Sequence, residues 1–266
     1  MTFVQRLAKK STLFTKHPVR FFLRQLYKMV VILPYHAVLA VRYFFKKPIQ
    51  EVPPKLGTCF IITSLIYCTQ KKLTYAPTRS VYGAEERYRQ TLQTIESIRV
   101  RFPEATIVCI EAGLEKSPFD LEKHVDVFLY VGARPLVRYA CDSRFKSLGE
   151  VIMLLTALKS IPSSQRYFKI SGRYFLNDFF QRTEWEKGSI IYHFIRPDFI
   201  STRLYSFTSS AKLVWEKALW YGLPYLFLDY PVEYILARFT PSSAVTAVES
   251  VGVSGVDATN GKEVKE

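Results

Sequence analysis

The run CFIITSLIYC at residues 59–68 is continuous, apolar and rich in β-branched side chains, a pattern that belongs to a strand buried on both faces of a parallel sheet. Beyond it, helical and strand-like segments alternate. A turn-rich stretch, TYAPTRSVYG, leads into AEERYRQTLQTIESIRVRF, where Tyr88, Leu92, Ile95, Ile98 and Phe102 recur at helical spacing and the helix stops before Pro103. ATIVCIE (105–111) and VDVFLYV (125–131) read as the second and third strands.

SLGEVIMLLTALKSI then opens with Ser147 and Glu150 as a capping box and carries an apolar stripe at Leu148, Ile152 and Leu155. RYFKIS (166–171) reads as a short strand, and SIIYHF (189–194) and STRLYSFT (201–208) as two more. Helices are expected over about 210–221 and near 231–239. Strands alternating with helices predict an α/β fold, with a Rossmann-like, mostly parallel sheet flanked by helices on both faces. The last stretch, PSSAVTAVESVGVSGVDATNGKEVKE, is small, polar and aperiodic, so disorder is expected over 241–266.

Charge divides the chain. Of 37 Lys and Arg, those in residues 1–50 are Arg6, Lys9, Lys10, Lys16, Arg20, Arg24, Lys28, Arg42, Lys46 and Lys47, and the first acid is Glu51. Residues 1–52 therefore form a cationic arm, and 53–240, after the linker Pro53-Pro54, a nearly balanced body. Within VRFFLRQLYKMVVIL, Arg20, Arg24 and Lys28 line one helical face, while Phe21, Phe22, Leu23, Leu26 and Val30 crowd the remainder.

The arm's expected partner is an anionic membrane surface. Its aromatic content suits acyl chains and argues against nucleic acid. Between Met29 and Phe45 the apolar span is broken by Pro34, His36 and Arg42, which makes a bilayer-crossing helix marginal. Helices lying in the interface, a transmembrane anchor and a helix packed on the body all stay open. No cleavable leader is expected. The four cysteines, Cys59, Cys68, Cys109 and Cys141, form no CxxC pair and read as reduced thiols.

No GxGxxG after a strand, GxxxxGK[ST], HExxH or GxSxG occurs. Taken in order, IITSLI, ERYRQTLQTIESIRVRFPEATIVCIEAG, KSLGEVIMLLTAL, YFKISGRYFL, STRLYSF and PVEYIL resemble the GT-A class of nucleotide-sugar glycosyltransferases, over about residues 58–240. The resemblance implies a GT-A-like domain transferring a sugar from a nucleotide-sugar donor to a lipid-linked or glycan acceptor. The place would be the cytoplasmic face of a membrane, in surface polysaccharide or glycolipid synthesis. The alternative is a non-catalytic, membrane-attached binding or scaffold protein that kept the sheet.

In this class the donor sits at the carboxyl ends of the first strands, the general rule for open α/β sheets. The expected donor residues are Ser64, Arg79 beside Thr78, Glu111, Lys146, Glu150, Lys169, Ser171, Gly172, Arg173 and Tyr174. Glu111 is either a nucleobase acceptor or an ordinary strand-end charge, and Glu150 either a sugar ligand or half of the capping box. Where many GT-A enzymes carry the Asp-x-Asp that binds manganese or magnesium, this chain has Ser171-Gly172-Arg173, which puts a divalent metal in doubt and assigns no metal ligand. Gly172 would let backbone approach a ligand, and Arg173 would either grip diphosphate or salt-bridge across a tight turn. Asp178 and Glu233 are both candidate catalytic bases, and Arg203 a candidate acceptor contact.

Overall fold

The computed structural model describes residues 18–45, 56–116 and 119–266. Two compact units divide the chain, Met1–Ile49 and Gln50–Glu266. Arg6, Lys9, Lys10, Lys16, Lys46, Lys47 and the Pro53-Pro54 linker lie outside the described residues.

In the first unit, helix α1 (Pro18–Tyr27) passes through a π-helical turn at Lys28–Ile32 into α2 (Leu33–Phe45). The sequence points to a break at Pro34, yet the helix runs through it. A proline donates no hydrogen bond to the carbonyl four residues back and its ring crowds that carbonyl. The wider π turn just before it, closed by Leu33 N–H donating to the Lys28 carbonyl, accommodates the defect. Among the described residues no helix is long and apolar enough to cross a membrane.

The second unit is built on β1 (Leu56–Ser64), which pairs in parallel with β2 (Thr106–Glu111) on one side and β4 (Ser164–Ser171) on the other; β3 (Val127–Tyr130) adds in parallel beyond β2. The sheet then reverses. β8 (Leu204–Thr208) runs antiparallel to β4, and β6 (Ile190–Arg196) antiparallel to β8; the short β7 (Phe199–Ile200) pairs with β6. The order is β3-β2-β1-β4-β8-β6-β7. This is the α/β class with a mostly parallel, helix-flanked sheet that the sequence predicts.

Alternation along β1 shows why both faces are covered. Cys59 and Ile61 point into one core with Val108, Ile110, Leu148, Val151 and Trp215, whereas Phe60 and Ile62 point into another with Ile95, Ile98, Phe102 and Phe168. The first face carries α4 (Pro135–Asp142), α5 (Lys146–Ala157), α6 (Lys212–Leu226) and α7 (Val232–Phe239); the second carries α3 (Ala84–Arg101). α3 has Glu85 and Glu86 in its first turn and Arg99 and Arg101 in its last, matching the helix dipole.

The expected capping box does not form. Phe145 is the residue before α5, and the Ser147 hydroxyl accepts the Val232 N–H at 3.1 Å, which ties α5 to α7.

The expected disorder over 241–266 is replaced by strands. β9 (Val245–Val248) pairs in parallel with β6, and β10 (Val253–Val256) lies antiparallel to both β5 (Tyr174–Leu176) and β11 (Glu263–Lys265). Val248, Val251 and Val253 are buried in the α3-side core. The stretch is apolar enough once a distant strand supplies the ladder. Gly255 permits the crossing over β5, since a Cβ there would lie 2.2 Å from the Arg173 carbonyl oxygen.

Candidate functional site

The parallel register gathers the strand ends. Ser64 stands beside Glu111 on one side, and Thr63 beside Ser171 on the other, so the carboxyl ends of β1, β2 and β4 share one edge. Above β1 and β4 this edge opens into a cleft with a narrow and a wide part, both lined by Lys146, Glu150, Ser171 and Arg173.

The narrow part adds Ser64, Arg79, Arg87 and Gly149. Four cations line it, and Arg79, Arg87, Lys146 and Arg173 have no ion-pair partner among the described residues. Its one lining carboxylate, Glu150, is bound to Lys169. Arg79 is buried and donates an Nη hydrogen to the Ser143 carbonyl, while its Nε has no hydrogen-bond partner; the Arg173 Nε is also buried without one. Buried donors without partners are uncommon in a folded protein.

The crowding of positive charge is visible in protonation. Burial, and after it the field of Arg173, pulls the Lys146 ammonium down to about 8. The same two causes, in the same order, bring the buried Arg87 guanidinium to about 10. Arg87 is fixed by its Nε donating to the Leu65 carbonyl at 2.6 Å, which leaves the guanidinium end against the cleft and against Gly172.

The wide part, a cavity of about 380 Å³, adds Tyr75, Tyr174, Thr202, Arg203, Glu233 and Asp257. Glu233 accepts a hydrogen bond from the Thr202 hydroxyl at 3.0 Å, and burial raises its carboxyl above the ordinary value. Arg203 is ion-paired with Glu266 and lies over the Tyr174 ring at 5.4 Å, with Arg173 at 5.9 Å from the same ring.

Of the residues singled out from sequence, Ser64, Arg79, Lys146, Glu150, Ser171, Arg173, Tyr174, Arg203 and Glu233 line this cleft, and Gly172 lines a small recess beside it. Gly172 also meets α3 closely, where its carbonyl accepts the Thr91 hydroxyl at 3.0 Å.

Three sit elsewhere. Glu111 is fully buried: its Oε1 accepts the N–H groups of Ile66 and Gly113, at 3.0 and 2.6 Å, so it clasps the turn after β1 instead of meeting a nucleobase. The segments leaving β1 and β2 cover it because those strands end in register. Asp178 is fully exposed and pairs with Arg101 at 3.0 Å, because β5 carries the chain away from the cleft. Lys169 is wholly buried beneath Glu150 and does not line the cleft.

Arg87, Tyr75, Thr202 and Asp257 line the cleft without having been singled out. Arg87 falls within the polar positions of an amphipathic helix pattern, and Asp257 within the stretch expected to be disordered.

The Asp-x-Asp pair that would hold a divalent metal is not present at the end of β4, although Glu150, Glu233 and Asp257 line the wide part of the cleft. Ser171-Gly172-Arg173 offers no carboxylate, and among the described residues no three His, Cys, Asp or Glu side chains come together as a metal site.

The sequence matches no protein-family model and no curated protein. Among solved structures, the chain is similar to galactosyltransferase LgtC in complex with donor and acceptor sugar analogs, at 10% identity and a TM-score of 0.45, over 71% of this chain and 73% of that one. It is also similar to an active-site mutant of LgtC, at 9% identity and a TM-score of 0.47, over 71% and 72% of the two chains.

Proposed function

We propose that the protein is a glycosyltransferase that binds a nucleotide-sugar by its diphosphate and transfers the sugar to an acceptor hydroxyl. The observation that carries this reading is the group of unpaired cations at the strand ends, Arg79, Arg87, Lys146 and Arg173, two of them with an Nε lacking a partner. Four cations line the narrow part, where the one carboxylate, Glu150, is held by Lys169; that excess of positive charge favours an anionic ligand, and a diphosphate supplies charge and acceptor oxygens together. The crevice at the carboxyl ends of parallel strands is where such ligands bind in open α/β sheets.

Transfer releases a nucleoside diphosphate, so negative charge grows on the leaving group. Preorganised guanidinium and ammonium groups stabilise that charge without a cation from solution. Glu233 is the base in this reading. It lines the wide part with Lys146 and Arg173, and burial raises its carboxyl above the ordinary value, which strengthens it as a proton acceptor.

In this reading the acceptor lies at the cytoplasmic face of an anionic membrane, in polysaccharide or glycolipid synthesis. Support comes from the acid-free N-terminal arm and from the exposure of Phe22, Leu23, Val30 and Phe44, the last 84% exposed.

A thermal-shift screen of the full chain against UDP-, GDP- and dTDP-sugars, with and without manganese, tests the reading, because a bound donor raises the melting temperature by mass action. A shift with one donor in the absence of metal, followed by sugar transfer, is expected. No shift with any donor contradicts it, and a shift without transfer or donor hydrolysis assigns a binding protein instead.

A further inference from the structure

Lys169 is a lysine with no exposed surface, and its three ammonium hydrogens have three acceptors: a carboxylate oxygen of Glu150, the Ser171 hydroxyl at 3.0 Å and the Thr202 carbonyl at 3.3 Å. A buried ammonium is costly unless fully bonded, and here the bonds join β4, the first turns of α5 and the segment before β8. Only one oxygen of Glu150, Oε1, faces Lys169. The Glu150 side chain keeps 21% of its surface exposed and lines both parts of the cleft, beside Lys146, Ser171 and Arg173.

A carboxylate in that place is misplaced for phosphate. It would repel the anion that the surrounding cations attract, and an electrostatic trap for phosphate alone would leave it out. Its second oxygen accepts no hydrogen bond among the described residues, and Glu150 lines both the narrow and the wide part of the cleft, so a ligand with its phosphates among the cations would bring its neutral, hydroxyl-bearing part within reach. We propose that Glu150 recognises hydroxyl groups of the saccharide attached to the diphosphate, and that Lys169 is a positioning residue acting through it. Resting on the donor reading above, this assigns discrimination: Glu150 favours a nucleotide-sugar over the bare nucleoside diphosphate, whose extra phosphate charge the cations attract and the carboxylate repels.

Isothermal titration of the full chain with the nucleotide-sugar that gives the largest thermal shift, and with its nucleoside diphosphate, reads the ratio of the two affinities. In Glu150→Gln the ratio of nucleotide-sugar to nucleoside diphosphate affinity falls roughly 10-fold or more, the size of lost hydrogen bonds to a charged acceptor, while nucleoside diphosphate binding is retained or tightened by removal of a negative charge. Lys169→Met lowers the ratio as well. The double variant Lys169→Met/Glu150→Gln, which leaves no unpaired buried charge, is no worse than Glu150→Gln alone, as two residues acting through one contact require.

An unchanged ratio in Glu150→Gln overturns the inference, and so do losses that add in the double variant or fall equally on both ligands. If the wild-type chain binds neither ligand, the donor reading itself fails, which is a separate outcome.

Discussion

Arg79 and Arg173 reach one cleft from different parts of the chain, the loop before α3 and the turn between β4 and β5, and each holds a buried Nε with no hydrogen-bond partner. Neither is ion-paired among the described residues. Such an arrangement costs stability in the free protein and returns it on binding an anion, so the strongest consequences concern charge.

Lys146 titrates within reach of ordinary buffers. Its ammonium is lowered from 10.5 to about 8, first by burial and then by Arg173. Nucleoside diphosphate affinity is therefore expected to be full below pH 8 and to weaken above it as the charge is lost. The sign for folding is opposite. The unfolded chain binds the extra proton between about 8 and 10.5, so the Lys146 contribution to stability rises with pH over that window. Titration calorimetry at about pH 7 and about pH 9.5, on either side of that ammonium, checks the first statement, and in Lys146→Met the drop attributable to this group disappears.

Glu111 is expected to matter for the fold and not for the ligand. Replacing it by alanine strands the Ile66 and Gly113 N–H groups in a buried turn, which costs about 2 kcal/mol and lowers the melting temperature by roughly 4–8 °C. A normal melting temperature with lost nucleotide binding would restore it as a nucleobase contact.

Position separates the two candidate bases, Glu233 in the cleft and Asp178 outside it. Glu233→Gln should cut turnover by roughly 100-fold or more with donor affinity little changed, and the acid limb of the wild-type rate profile should lie above the ordinary carboxylate range because burial raises this group. Asp178→Asn, at a fully exposed surface pair, should leave the rate intact. Equal losses in both variants would remove the assignment.

How much of the fold is legible in the sequence depends on which forces are local. β1 announces itself because both of its faces are buried, so nearly every side chain is apolar; α3 does so because Ile95 and Ile98 repeat at helical spacing. β9 and β10 do not, since their small residues form strands only after pairing with β6 and β5, partners far off in sequence.

The site divides the same way. Ser64, Ser171 and Arg173 are recoverable because strand ends predict an edge. Arg87 is not, because an arginine on a helix reads as solvated until the Leu65 carbonyl is seen to hold it inward. Asp178 looks promising by nearness in sequence to Arg173, yet the reversal at β5 removes it.

The N-terminal arm gives an independent test. Neutralising Arg20, Arg24 and Lys28 together, as glutamine substitutions in the full chain, should reduce partition onto phosphatidylserine-containing vesicles on the order of 100-fold, at about 1 kcal/mol per basic residue. Partition onto neutral vesicles should change little. Unaltered binding to anionic vesicles would rule out this face as the membrane contact.

Calorimetric binding of the matching nucleoside diphosphate in the presence of EDTA, by the wild-type chain and by Arg173→Ala, tests most directly whether these cations hold the ligand unaided. Binding by the wild type without metal, weakened roughly 10- to 100-fold in the variant at an unchanged or higher melting temperature, is the predicted result. Binding that requires manganese, or that survives intact in Arg173→Ala, would contradict the claim that this chain grips diphosphate with its own cations.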